Sequence, residues 1–161
     1  MRESVSIKTK ECNFKFRVAG LIIRDNKLLL VDSNDFNFLA LPGGYVELGE
    51  TTEEGLLREL KEELLKDFEI KEYLGVLENY FTNKYNKKVH EISFYYLVDT
   101  KEELSKDDFE LTENDKGYII KHNFKWIDID KLNEYDIRPQ FLKDILKNKE
   151  LEFKHLVIKE Y

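Results

Sequence analysis

The sequence predicts a mixed α/β sandwich. Three observations predict it: strand-like apolar runs at 14–23 and 89–98, a well-capped central helix, and a second helix near the end. Strands that flank a strong helix in this order bury a sheet under helices. The 161 residues amount to about one domain. With no Gly/Ser-rich linker, repeat or low-complexity tract, 1–161 reads as a single domain.

Each element has a local reason. Phe14 to Ile23 reads as a strand, Asp25-Asn26 as a turn, and Lys27 to Val31 as the strand that follows. A short apolar piece, Phe38 to Leu41, enters Pro42-Gly43-Gly44. Thr51 with Glu54 three residues on forms a capping box, and helical spacing follows from Leu56 to Leu64. Val76 to Phe81 and Val89 to Val98 read as strands. The latter alternates His90, Ile92, Phe94 and Tyr96 against Glu91, Ser93, Tyr95 and Leu97. The loop between them carries Lys84, Lys87 and Lys88, read as a solvated hairpin turn. Phe124 to Ile127 is a short strand, Pro139 opens a helix through Lys147, and Phe153 to Ile158 closes the sheet.

Composition removes several classes of function. Lys and Arg number 26 against 33 Asp and Glu, a net charge of −7 that repels a nucleic-acid backbone. Broad nucleic-acid binding is therefore not expected. Cys12 is the only cysteine, which excludes an internal disulfide and disfavours a cysteine-based zinc site. No apolar run approaches the roughly 18 residues of a membrane span, and the first residues lack a signal peptide's apolar stretch. The expected location is cytoplasmic.

Chemistry concentrates between Gly43 and Glu63. At 100° per residue, Glu62 and Glu63 fall on either side of Glu59, while Leu56, Leu57, Leu60 and Leu64 gather on a neighbouring face. Like charges at this spacing cost a few tenths of a kcal/mol per pair, and the mid-helix Gly55 costs about 1 kcal/mol more. A partly buried cluster of this kind takes up protons or holds a cation. Oxygen donors without cysteine or clustered histidine favour magnesium or manganese over zinc. Most acidic helix faces are merely solvated. Here, however, Gly44, Glu50, Arg58-Glu59 and Glu62-Glu63 keep a fixed spacing that chance supplies on the order of once in 10⁴ chains, at roughly 0.1 per position.

This spacing resembles the Nudix hydrolase box, Gly-x5-Glu-x7-Arg-Glu-apolar-x-Glu-Glu-x-Gly-apolar, over Gly44 to Lys66. Leu41-Pro42-Gly43-Gly44, Gly20 to Arg24 and Trp126 to Leu132 are also similar to the family, so the resemblance covers most of 14–147. It implies an α/β/α sandwich with a mixed sheet. It also implies a metal-dependent pyrophosphohydrolase, cleaving a nucleoside diphosphate linked to another moiety, or a related small phosphoanhydride, by attack of activated water on phosphorus. By the same resemblance Glu59, Glu62 and Glu63 hold Mg²⁺ or Mn²⁺ with the Gly43 carbonyl, Arg58 orients a glutamate, and Glu50 is a further candidate for metal contact or base. Gly44, Glu47, Glu91 and Tyr80 are candidate substrate contacts. A homodimer is compatible with this reading.

Departures are equally specific. Leu65 and Lys66 stand where the family has glycine and an apolar residue. Leucine in the left-handed turn that glycine allows costs about 1–2 kcal/mol, so the helix is expected to run on a little or end differently. Some members use an acid or base beyond the box. Glu113, Asp115, His122 and Glu91 are the candidates here, each more ordinary as a surface residue. Val31-Asp32-Ser33 lacks the basic residue that nucleotide-specific members often carry. No proline lies between 42 and 139, unlike ADP-ribose-type members, and Tyr80 and Tyr85 only loosely match the diadenosine-polyphosphate type. The competing reading is a Nudix-like ligand-binding or regulatory domain that has lost catalysis. An isomerase or specialised hydrolase on the same scaffold also stays open.

Overall fold

Residues 3–33, 37–115 and 117–161 are described by a computed structural model, apart from the side chains of Ser33 and Asp115. In chain order the strands are β1 (Ser6–Lys8), β2 (Cys12–Leu21), β3 (Ile23–Arg24), β4 (Lys27–Ser33), β5 (Gly43–Tyr45), β6 (Glu69–Thr82), β7 (Lys88–Asp99), β8 (Phe109–Asp115), β9 (Tyr118–Asp128) and β10 (Lys154–Lys159). Helix α1 (Thr52–Leu64) follows β5, and α2 (Phe141–Lys147) precedes β10.

Two sheets result. The larger runs β1-β2-β7-β6-β10 with β5 added alongside β2, and the smaller runs β3-β4-β9-β8. The larger sheet is mixed: β2 pairs parallel with β7, β10 parallel with β6, and β6 antiparallel with β7. Leu28 to Val31 is a continuous apolar run because β4 is buried on both faces. Leu29 and Val31 join a core with Val18, Leu56, Leu60 and Leu64 of α1. Leu28 and Leu30 join a second core with Tyr95 and the α2 residues Leu142 and Leu146. Helices thus cover apolar surface on opposite sides, the sandwich the sequence predicts.

Some details differ. The strand expected over Phe14 to Ile23 runs from Cys12 to Leu21 as β2, with the short β1 before it, and the last strand is Lys154–Lys159. Strand β9 extends well before Phe124 to form a hairpin with β8. β8 reads FELTEND, an edge strand whose apolar alternation stops after Phe109 and Leu111, too short a signal to mark it by periodicity. On α1 the Thr51–Glu54 capping box forms in both directions. Its far end departs from a helix that runs on. It stops at Leu64, and Leu65 itself takes the left-handed conformation (φ 57°, ψ 26°), donating its N–H to the Lys61 carbonyl. The family's turn survives with leucine in glycine's place. No helix among the described residues is long and apolar enough to cross a membrane.

Candidate active site

β2 and α1 hold the site between them. β5 pairs antiparallel with β2, setting Gly43 opposite Ala19, Gly44 opposite Val18 and Tyr45 opposite Arg17. Leu56, Leu60 and Leu64 bury one stripe of α1 and turn the neighbouring glutamate stripe toward β5. Gly44 lets the Glu59 carboxylate approach closely: a Cβ there would lie 2.2 Å from Glu59 Oε2. Gly55, costly in a helix, leaves room for Glu50, whose Oε2 would sit 3.1 Å from a Cβ at that position.

Arg58 organises the carboxylates. Its Nε donates to Glu50 Oε1 at 2.7 Å, and its Nη2 to Glu50 Oε2 at 3.1 Å and to the Tyr45 carbonyl at 2.8 Å. Its Nη1 donates to Glu59 Oε1 at 2.8 Å and Glu62 Oε2 at 3.2 Å. This bidentate clamp on Glu50 is the geometry a guanidinium forms best. Glu50 Oε2 also accepts the Glu47 backbone N–H at 2.9 Å, while the Glu47 carboxylate lies 3.8 Å from Arg58 Nε. Both Glu50 oxygens are engaged, which suits Glu50 to bracing the loop.

Glu63 is buried, at 8% exposure, and accepts the Gly43 N–H at 3.1 Å. Burial, then the neighbouring Glu59, push its carboxyl well above the ordinary carboxylate range. Glu59 and Glu62 are also raised by burial, against the opposing charge of Arg58. One guanidinium serves several carboxylates, leaving an excess of negative charge that a cation would relieve.

Two residues outside the box join them. His122 on β9, buried, has Nε2 2.9 Å from Glu113 Oε2 on β8. One ligand atom each from Glu63, Glu113 and His122 all fall within 4.8 Å of one another. Of the acid and base candidates beyond the box, the structure brings these two to the cluster. Asp115's side chain lies outside the described residues. Glu91 sits buried on β7, 3.9 Å from Arg17, a residue outside the box spacing. Its only sequence signal was a single arginine between Phe16 and Val18. Tyr80 stacks on His90 at 4.4 Å, edge-on to Tyr161 and under Lys159, so its observed contacts are packing. In the hairpin, Lys87 donates to the Thr9 and Lys10 carbonyls.

Fold and site together define an α/β/α sandwich whose central helix gathers oxygen donors suited to a hard divalent cation. The chain belongs to the family of the NUDIX domain, which matches residues 14–148. It shares 41% identity over 85 residues with the ADP-ribose pyrophosphatase of Methanocaldococcus jannaschii, 51% of this chain and 48% of that protein. It is 43% identical over 63 residues to a MutT-like protein of Streptomyces ambofaciens, 38% of this chain and 41% of that one. The chain therefore spans about half or less of these relatives' length. A solved NUDIX hydrolase from Nitrosomonas europaea shares the fold with TM-score 0.61 at 18% identity, covering 91% of this chain and 79% of that one.

Proposed function

We propose that this chain is a divalent-cation-dependent pyrophosphohydrolase acting on a nucleoside diphosphate linked to another group. The observation that carries the reading is that Arg58 holds Glu59 and Glu62 beside the buried Glu63, which accepts the Gly43 N–H and lies with Glu113 and His122. These residues fit a hard cation by donor type, by the burial of Glu63 and by the glycine gap that admits Glu59. Glu59, Glu62 and Glu63 would hold it with the Gly43 carbonyl, and Glu113 and His122 would extend the donor set. When bound, Mg²⁺ or Mn²⁺ neutralises diphosphate oxygens and makes water nucleophilic at neutral pH.

The chain's own residues do the rest. Arg58 fixes the carboxylates in register, Glu50 anchors Arg58 and closes the loop from Glu47, and Glu113 accepts from His122 to hold the imidazole. The relative named ADP-ribose pyrophosphatase makes ADP-ribose the first substrate to try. Nucleoside triphosphates, sugar nucleotides, dinucleotides and dinucleoside polyphosphates complete the panel. Purified protein with Mg²⁺, then Mn²⁺, should cleave at least one of them. Glu63→Gln should lose at least about 100-fold in turnover while staying folded. Full turnover in both Glu63→Gln and Glu59→Gln would overturn the role assignment. Binding without cation-dependent cleavage anywhere in the panel would favour the ligand-binding domain. His122→Gln should weaken cation binding about 10- to 100-fold, measured by calorimetric titration of Mn²⁺.

A further inference from the structure

The box spacing offers a cation only oxygen, the donor that suits Mg²⁺. Strand pairing adds a nitrogen. β9 lies antiparallel to β8 with Leu111 opposite His122 and Glu113 opposite Ile120, so His122 and Glu113 are diagonal neighbours on one face of the hairpin. β4 pairs with the other side of β9, which makes β9 an inner strand and leaves His122 buried. A buried imidazole needs polar partners, and its Nε2 has Glu113 Oε2 at 2.9 Å.

Glu63 of α1 completes the group. One ligand atom each from Glu63, Glu113 and His122 lie within 4.8 Å of one another, two carboxylates and an imidazole from three different elements. Donors bonded to one ion at about 2.0–2.2 Å stand roughly 3–4.4 Å apart, so small side-chain shifts bring all three onto a single cation. The nitrogen changes which cation that is. Mg²⁺ takes oxygen and gives up its water reluctantly, whereas imidazole suits first-row transition cations, with affinity rising from Mn²⁺ to Co²⁺.

We propose that His122 sets the cation preference of this centre, turning it from Mg²⁺ toward a first-row transition cation such as Mn²⁺ or Co²⁺, held by Glu63, Glu113 and a ring nitrogen of His122. This deepens the hydrolase reading above and rests on it for the role of the cation. The competing role for His122 is structural, an imidazole that steadies Glu113 and touches no ion. Calorimetric titration of Co²⁺, Mn²⁺ and Mg²⁺ in turn into EDTA-treated, dialysed protein separates the two without substrate. The unmodified protein should bind Co²⁺ and Mn²⁺ more tightly than Mg²⁺. His122→Gln should weaken Co²⁺ and Mn²⁺ about 10- to 100-fold and leave Mg²⁺ within about 3-fold, so the preference collapses. Glu113→Gln should weaken all three, since each can use its oxygen. Equal losses for the three cations in His122→Gln, or no loss, overturn the proposal.

Pulsed electron paramagnetic resonance of Mn²⁺ bound to the unmodified protein needs no variant to fold, and it should show coupling to an imidazole nitrogen. Of the other two histidines, His90 on β7 stacks on Tyr80 and His155 on β10 pairs with Glu78, so the signal belongs to His122. Mn²⁺ bound without nitrogen coupling overturns the proposal. Cleavage in the substrate panel together with oxygen-only Mn²⁺ removes this inference and leaves the hydrolase. Nitrogen coupling and Co²⁺ preference without cleavage of any substrate remove the hydrolase reading and leave the cation site standing.

Discussion

A single atom decides the fate of Gly44. The Cβ of Gly44→Ala would meet the far end of the Glu59 side chain, which can swing aside, so the fold should stand while the carboxylate is displaced. Turnover of Gly44→Ala should fall about 10- to 100-fold, because misplacing a reacting group by about 1 Å costs that much, with the melting temperature nearly unchanged. Steady-state kinetics and a thermal melt check both halves. Glu63 gives the opposite signature in metal-free protein. Its carboxyl is held against burial and against Glu59, so Glu63→Gln should raise the melting temperature in EDTA at pH 8 by a few degrees, about 2–4 °C per kcal/mol at this size, even as turnover is lost. The box glutamates were legible in the sequence because helical spacing alone puts them on one face. Glu113 and His122 stood in the sequence only as two among several acid or base candidates, because strand pairing, not local spacing, sets them against Glu63.

At the scale of the element, α1 starts well and ends under strain. The Thr51–Glu54 box satisfies the first turn, but Leu65, 57% exposed, takes a left-handed conformation. Glycine there relieves about 1–2 kcal/mol of steric cost and gives some back as chain entropy. Leu65→Gly should therefore stabilise the protein by about 0.5–1 kcal/mol, read as a melting temperature higher by about 1–4 °C. Catalysis should not respond, since the carboxylates lie upstream in a part of the helix fixed by Leu56, Leu60 and Leu64. A large gain in turnover on Leu65→Gly would instead tie the leucine to lost activity. β8 makes the complementary point: a polar edge strand exists because β9 pairs with it, not because its own residues demand a strand.

For the whole molecule, the raised carboxyls link stability to pH and cation. Glu59, Glu62 and Glu63 all hold protons more tightly folded than unfolded. Their contribution is therefore present below the ordinary carboxylate range, near pH 4.5, and is lost as pH rises through the raised values. Metal-free protein should lose melting temperature across that window. A divalent cation binds the deprotonated form and should reverse the loss. Mg²⁺ at about 100 times its dissociation constant contributes about 2.7 kcal/mol, roughly 5–10 °C, at pH 8 and much less at pH 5. Melts with and without EDTA at the two pH values measure it. An equal Mg²⁺ effect at both would sever the carboxylates from the cation. A cation at this centre would also reverse, locally, the field of a chain of net charge −7 toward the anionic substrate proposed for it.

By itself, the sequence determined what short-range geometry controls. The period of α1, its capping box, the glycine entry at Gly43-Gly44 and the six spaced box positions need only neighbours within a few turns, and they were enough to reach the α/β class and the family. Tertiary structure decided what depends on residues far apart in the chain. It put Arg58 on Glu50 in a bidentate clamp, ended the helix on a strained leucine, and set His122 and Glu113 against Glu63. The physical reason is that hydrogen-bond reach is about 3 Å, and only packing decides which distant side chains come within it.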